Sequence, residues 1–297
     1  MKKFLRYTLL LLVATLILMY ALDWVYTSIY NHSQVRSKVQ LVLNAPPKHY
    51  DAIVIGSSRA ENHVVSKLFE ANGLTAYNLG MSGSNLCENS LLLKLFFEKG
   101  NTANVVLLQL DLNFITEEPA VGVQALFIPY IANNSTVYNH YAANTPNSFA
   151  MKYVPFYRYC TNDAKIGMRE IIMTMIKKKS KTIATDGYAP LSGQLKENQL
   201  LHLREETATS NRYYNEIKSA CQSNNSRLIP FMAPICMEAA SNNYFKKLKQ
   251  HVPELFDYTK AISEDSLFSS CGHLNDKGAE TFTKLLLKQH FDKNLNQ

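Results

Sequence analysis

The stretch Asp51-Ala-Ile-Val-Ile-Gly-Ser-Ser-Arg59 carries two signals in nine residues. Its apolar run with β-branched residues has the pattern of a strand buried on both faces of a parallel sheet. Gly56-Ser57-Ser58 then interrupts the run, and Val64, Val65, Leu68 and Phe69 follow in a helix closed by Asn72-Gly73. A buried strand that ends in a glycine turn and opens a helix puts small polar side chains where the sites of parallel sheets gather.

Working outward, the same alternation recurs. A second strand fits Leu74 to Leu79, leading into Gly80-Met-Ser-Gly83, and a helix follows from about Asn85 to Lys99. Asn104 to Leu112 predicts the third strand and Arg227 to Pro234 the fourth. Helices are expected from about Arg204 to Cys221, near Tyr244 to Gln250, and from Asn275 to His290. Short apolar strands alternating with helices predict an α/β domain over residues 48–297, with a parallel sheet covered on both faces.

Between about 114 and 200 the alternation breaks down into an aromatic, Asn-rich stretch that includes Tyr130, Tyr138, Tyr141, Phe149, Tyr153 and Phe156. This is expected to be an insertion over the strand ends, serving as a lid, a substrate wall or irregular packing. Within it, Lys177-Lys-Lys-Ser-Lys-Thr182 ends a helix containing Ile171, Ile172, Met175 and Ile176. Cations suit the negative end of a helix, although such a cluster also fits phosphate or an acidic glycan.

The N-terminus reads differently. Lys2, Lys3 and Arg6 flank an uncharged apolar run from Tyr7 to Leu22, which Asp23 stops and Trp24 and Tyr26 follow. A basic flank, an apolar core and an aromatic belt, with no small-x-small cleavage site after them, predict an uncleaved signal anchor over residues 7–26. By the positive-inside rule residues 1–6 face the cytoplasm and everything after about residue 26 lies outside, with 27–47 as a short helix or stalk.

Composition limits the remaining choices. At 297 residues with 46% hydrophobic content the chain suits one sizeable α/β domain with elaborations. Three of the cations behind its net charge of +7 sit in the N-terminal flank, and basic residues are nowhere interleaved with aromatics in a nucleic-acid-binding pattern. Cys87, Cys160, Cys221, Cys236 and Cys271 form no C-x-x-C pair and no zinc-type cluster, so no metal or cofactor is called for, and a disulfide is permitted but not required. Sequons at Asn31, Asn133, Asn134 and Asn224 matter only in a glycosylating pathway.

Four polar blocks fall at strand ends or before the last helix: Gly56-Ser57-Ser58, Asn78-Leu-Gly80-Met-Ser-Gly83, Asp111-Leu-Asn113 and Cys271-Gly-His273-Leu-Asn. A serine hydroxyl becomes a nucleophile when an imidazole takes its proton, which pairs Ser58 with His273. The oxyanion of a tetrahedral intermediate then needs donors, available from the Ser58 amide at a helix start, Gly80 or Gly83, and an Asn side chain. Ser58-Arg-Ala-Glu61 equally reads as a capping box. His63 is expected on the surface or in packing, Arg59 to steer an anion or sit exposed at the helix start, and Asp111 to hold loops or end its strand.

These blocks resemble those of the SGNH (GDSL-type) hydrolase superfamily, especially its membrane-anchored branch related to teichoic-acid D-alanyl transfer and alginate O-acetylation proteins. The resemblance covers about 48–297 without the insertion. It implies a flavodoxin-like three-layer sandwich, Ser58 as nucleophile, Gly80 or Gly83 and Asn113 in the oxyanion hole, and His273 as base. It further implies an esterase or acyltransferase on O-acyl groups of cell-envelope polysaccharide, held in a bacterial cytoplasmic membrane with its domain outside and supplied in some cases by a membrane acyl-donor protein. The family's aspartate three residues before the histidine is replaced by Ser270. Glu264, Asp265, Asp276 or a backbone carbonyl are the candidates to orient His273 in its stead, and a member without an acid could survive as a glycan-binding or assembly factor.

Overall fold

The computed structural model describes residues 1–32, 35–178, 180–196 and 207–292. They divide into two compact units, one of 1–45 with 121–179 and one of 46–120 with 180–297. The N-terminal unit is built on helix α1 (Lys2–His32), which is long and apolar enough to cross a membrane, and on α2 (Lys38–Asn44). Ser37 caps α2 and forms a capping box with Gln40. Tyr26, Tyr30, Val39, Val42 and Leu43 are buried, so the segment read as a stalk packs within this unit. Its partners come from the insertion: the Tyr30 hydroxyl donates to the Ile166 carbonyl, and Arg36 pairs with Glu170.

The second unit carries a five-stranded parallel sheet of β1 (His49–Ile55), β2 (Ala76–Asn78), β3 (Thr102–Gln109), β4 (Arg227–Met232) and β5 (Phe256–Asp257), in the order β2-β1-β3-β4-β5. Strand β5 was not apparent in sequence, because two exposed residues at a sheet edge leave no periodicity to read. A two-stranded antiparallel hairpin of β6 (Phe268–Ser270) and β7 (His273–Leu274) places His273, read in sequence as preceding the last helix, on a strand.

Helices α3 (Ser58–His63), α4 (Ser66–Glu70), α5 (Leu86–Glu98), α6 (Arg212–Ser223), α7 (Asn243–His251) and α8 (Asp276–Phe291) belong to the same unit. The expected start of α6 near Arg204 lies outside the described residues. Ala52 and Val54, Val105 and Leu107, and Ile229 and Phe231 cluster with Phe69, Phe282 and Leu286 on one face of the sheet. Strand alternation sends the buried Ile53, Ile55, Val106 and Leu108 to the other, and α5 and α6 pack together.

The single helix expected after Ser58 is two helices. The Asn78 side chain donates to the carbonyls of Ala60 and Val64, which would otherwise be unpaired at the end of α3, and the chain turns extended at Val64. This break leaves α3 as a short turn seated directly over the ends of β1 and β3.

Candidate active site

In a sheet of order 2-1-3-4-5 the chain leaves β1 and β3 in opposite directions, opening a crevice at their carboxyl ends. A cavity of about 630 Å³ lies there. Ser57, Ser58 and Arg59 line it from the β1 turn, Gly83, Ser84 and Asn85 from the β2 turn, Asp111 to Asn113 from the β3 turn, and Ser270 to His273 from the hairpin.

Gly56 makes the first turn possible. Its φ of +145° and a Cβ position only 2.7 Å from Gln109 Cβ and 2.9 Å from Ala60 Cβ leave room for glycine alone. The next residue is clamped: Gln109 Oε1 accepts from both the N–H and the hydroxyl of Ser57. Ser57, not Ser58, occupies the N-cap position of α3. Glu61 accepts from the N–H and hydroxyl of Ser82. The capping-box expectation therefore fails, and the Ser58 hydroxyl is turned to another partner.

That partner is His273. Ser58 Oγ and His273 Nε2 are 2.8 Å apart although 215 residues separate them in sequence. On the other ring nitrogen, Nδ1 meets Ser270 Oγ at 3.3 Å. Glu264 and Asp265 are exposed, and Asp276 accepts from the Tyr188 hydroxyl at 2.7 Å. Among the described residues the hydroxyl of Ser270 is thus the group on Nδ1, and none of the three acids takes that place.

The oxyanion candidates separate in the same way. Ser58 is the first residue of α3, where an amide has no intrahelical acceptor. Gly83, at φ +80°, lines the cavity with Asn113. Asn113 Oδ1 accepts from the Asp111 N–H and its Nδ2 donates to the Gln109 carbonyl, which spends one of its two amide hydrogens. Gly80 is not among the lining residues, and its N–H donates to Asn78 Oδ1 at 2.9 Å. Gly80 is thereby committed to shaping the β2 turn.

No family model matches the chain, and no curated protein matches its sequence. What the site can do follows from its own geometry.

Three residues that the sequence had left ambiguous support it. Arg59 is buried, not exposed: its Nη1 lies 2.8 Å from Asp111 Oδ2 and its Nη2 donates to the carbonyls of Ala233 and Pro234. Asp111 also accepts from the Leu112 N–H, so it holds the β3 loop while neutralising Arg59. His63 is wholly buried and its Nε2 accepts the N–H of Leu274 at 3.1 Å, which pins the strand carrying His273. Burial, with Arg59 and His273 nearby, keeps the His63 pKa well below the usual histidine range, so it serves as a neutral acceptor. The Cys236–Cys271 disulfide ties the same hairpin to the chain beyond β4. Polar residues at strand ends were the available signal for Arg59 and Asp111, but pairing between them is a property of the folded chain.

Burial also lowers the pKa of His273 below its ordinary value, and the Arg59 guanidinium adds to the effect while Asp111 opposes it. A lowered pKa keeps the imidazole neutral, and so able to accept the Ser58 proton, down to more acidic pH. For any reaction in which His273 takes the Ser58 proton, the acidic limb of kcat/KM is accordingly expected below pH 6.5, where His273 protonates. A limb at or above pH 7 in a pH–rate profile would contradict this electrostatic picture.

Proposed function

We propose that this protein is a membrane-anchored, extracytoplasmic esterase or acyltransferase of SGNH type, acting on O-acyl groups of cell-envelope polysaccharide through a serine acyl-enzyme. The observation that carries the reading is the 2.8 Å contact between Ser58 Oγ and His273 Nε2 at the β1–β3 crevice. Ser58 Oγ attacks the acyl carbonyl as its proton passes to His273 Nε2. The oxyanion is held by the Ser58 and Gly83 amides and the remaining hydrogen of Asn113 Nδ2. The imidazolium returns its proton to the departing sugar oxygen, leaving an acyl-Ser58 ester. Water or a second sugar hydroxyl, deprotonated by His273, then releases the acyl group.

The address agrees with the chemistry. The basic flank of α1 favours a cytoplasmic N-terminus, and a disulfide beside the histidine suits an oxidising compartment outside the cytoplasm. Transfer in place of hydrolysis would call for a membrane acyl-donor protein as partner. The decisive test is covalent: a fluorophosphonate probe should label the purified full-length protein, and Ser58→Ala and His273→Ala should both abolish labelling. Wild-type protein that stays unlabelled across pH 5–9 would overturn the proposal.

A second reading has one observation in its favour, the hydroxyl of Ser270 where a carboxylate would stabilise the imidazolium. It makes the protein a glycan-binding or assembly factor that has kept the site's shape. Ser270 discriminates the two. In an active enzyme Ser270→Ala removes a hydrogen bond worth about 1 kcal/mol and should lower kcat/KM roughly fivefold. Ser270→Asp should raise kcat/KM by about tenfold or more, since loss of the acid in a serine-protease triad costs about 10,000-fold. Hydrolysis of p-nitrophenyl acetate provides the readout, and invariance to both changes would remove Ser270 from the catalytic machinery.

A further inference from the structure

The N-terminal unit carries a surface that the acyl chemistry does not use. The uncharged run Tyr7 to Leu22 spans about 24 Å as a helix, short of a hydrocarbon core of about 30 Å. With α1 in a bilayer, the outer hydrocarbon boundary falls at the turn of Asp23 to Thr27, where Trp24 is 72% exposed.

Phe156 and Arg158 are fixed at that depth, and Lys152 and Tyr153 face the same part of α1. Asp23 accepts from the Phe156 N–H at 2.7 Å and pairs with Arg158 at 2.6 Å, and Arg158 donates onward to Thr27. A cavity of about 410 Å³ has Tyr20, Asp23 and Trp24 on one wall and Lys152, Tyr153 and Arg158 on the other. Pairing with Arg158 relieves Asp23 of the cost of an isolated charge next to hydrocarbon. At this level Phe149 is 66% and Tyr153 55% exposed, Val154 is also exposed, and the Phe149 and Tyr153 rings stand 4.7 Å apart. Lys152 lies between them in sequence, its Nζ 3.7 Å from the centre of the Tyr138 ring. Adjoining aromatic and aliphatic side chains with a cation beside them form an interfacial pattern.

We propose that residues 149–154 lie in the headgroup layer of a phospholipid bilayer and form a second membrane contact beside α1. Phe149, Tyr153 and Val154 enter the boundary of the acyl chains, and Lys152 stays among the phosphates. A helix alone leaves its unit free to swivel about the helix axis, whereas a second contact fixes which side of the unit faces the lipid. The inference rests on α1 being membrane-embedded, and the test separates the two.

Trp24 is the sole tryptophan of the chain. Full-length protein in phosphatidylcholine–phosphatidylglycerol vesicles containing acyl-chain-brominated lipid should show quenched Trp24 emission. Phe149→Trp and, separately, Tyr153→Trp in a Trp24→Phe background should be quenched to a comparable degree and shielded from iodide. Quenching of Trp24 with both loop reporters unquenched and iodide-accessible would overturn the second contact and leave the anchor intact. Loss of quenching at Trp24 and at both loop reporters would overturn both, and quenched loop reporters alone would support the surface without the anchor.

Discussion

Ser58→Ala is expected to lower acyl-ester turnover by about 10,000-fold or more, to the level set by the oxyanion donors and binding alone. Stability should change little, by roughly 1 kcal/mol or less, because among the described residues the hydroxyl makes one hydrogen bond, to His273, in the lining of a cavity. His273→Ala should cost about as much as Ser58→Ala, and the double variant little more than either single one, since nucleophile and base act as a unit. Steady-state kinetics on p-nitrophenyl acetate and on O-acetylated glycan, alongside denaturant melts, provide the check. A Ser58→Ala variant that keeps even one tenth of wild-type turnover would place the chemistry elsewhere.

The second large effect concerns stability. Arg59 and Asp111 are both almost fully buried and pair beside the Ser57–Ser58 turn. Removing one partner leaves an uncompensated charge in the interior, so Arg59→Met or Asp111→Asn should each destabilise the fold by about 3–5 kcal/mol. The double variant should recover much of that loss, because Asn can still accept the Leu112 N–H through its carbonyl oxygen and no net charge remains buried. Urea midpoints of the four proteins measure the coupling, and single variants within 1 kcal/mol of wild type would show the pair to be solvated. Arg59 also depresses the His273 pKa. If Arg59→Met retains its fold, the acidic limb of its pH–rate profile should therefore move to higher pH.

How much of this was written in the sequence differs from residue to residue. Strands β1, β3 and β4 were legible because each is buried on both faces and reads as a continuous apolar run. Ser58 and His273 were legible only as two polar residues at the right ends of elements. Their candidate status came from those positions and from a serine's need for a base, with motif resemblance added, and the 2.8 Å contact came from the sheet and the hairpin that bring them together. Gly80 and Gly83 were indistinguishable in sequence. A side chain two residues away, Asn78, removes Gly80 from consideration by taking its N–H. Ser58 likewise read as a capping-box serine until the fold put Ser57 at the N-cap, with Gln109, 52 residues on, holding it, and left the Ser58 hydroxyl to His273.

The sequence by itself determined the alternation that makes a parallel α/β sheet, the apolar helix at the N-terminus, and the presence of a serine at a strand end and a histidine before the last helix. These depend on periodicity and on local preferences for turns and caps, which short windows of residues encode. Only the tertiary structure decided that Arg59 is buried against Asp111, that His63 pins the strand of His273, that Ser270 faces Nδ1, and that residues 1–45 pack with 121–179. Each of these joins residues far apart in the chain, and their energies arise from desolvation and geometry that exist only once the chain has folded.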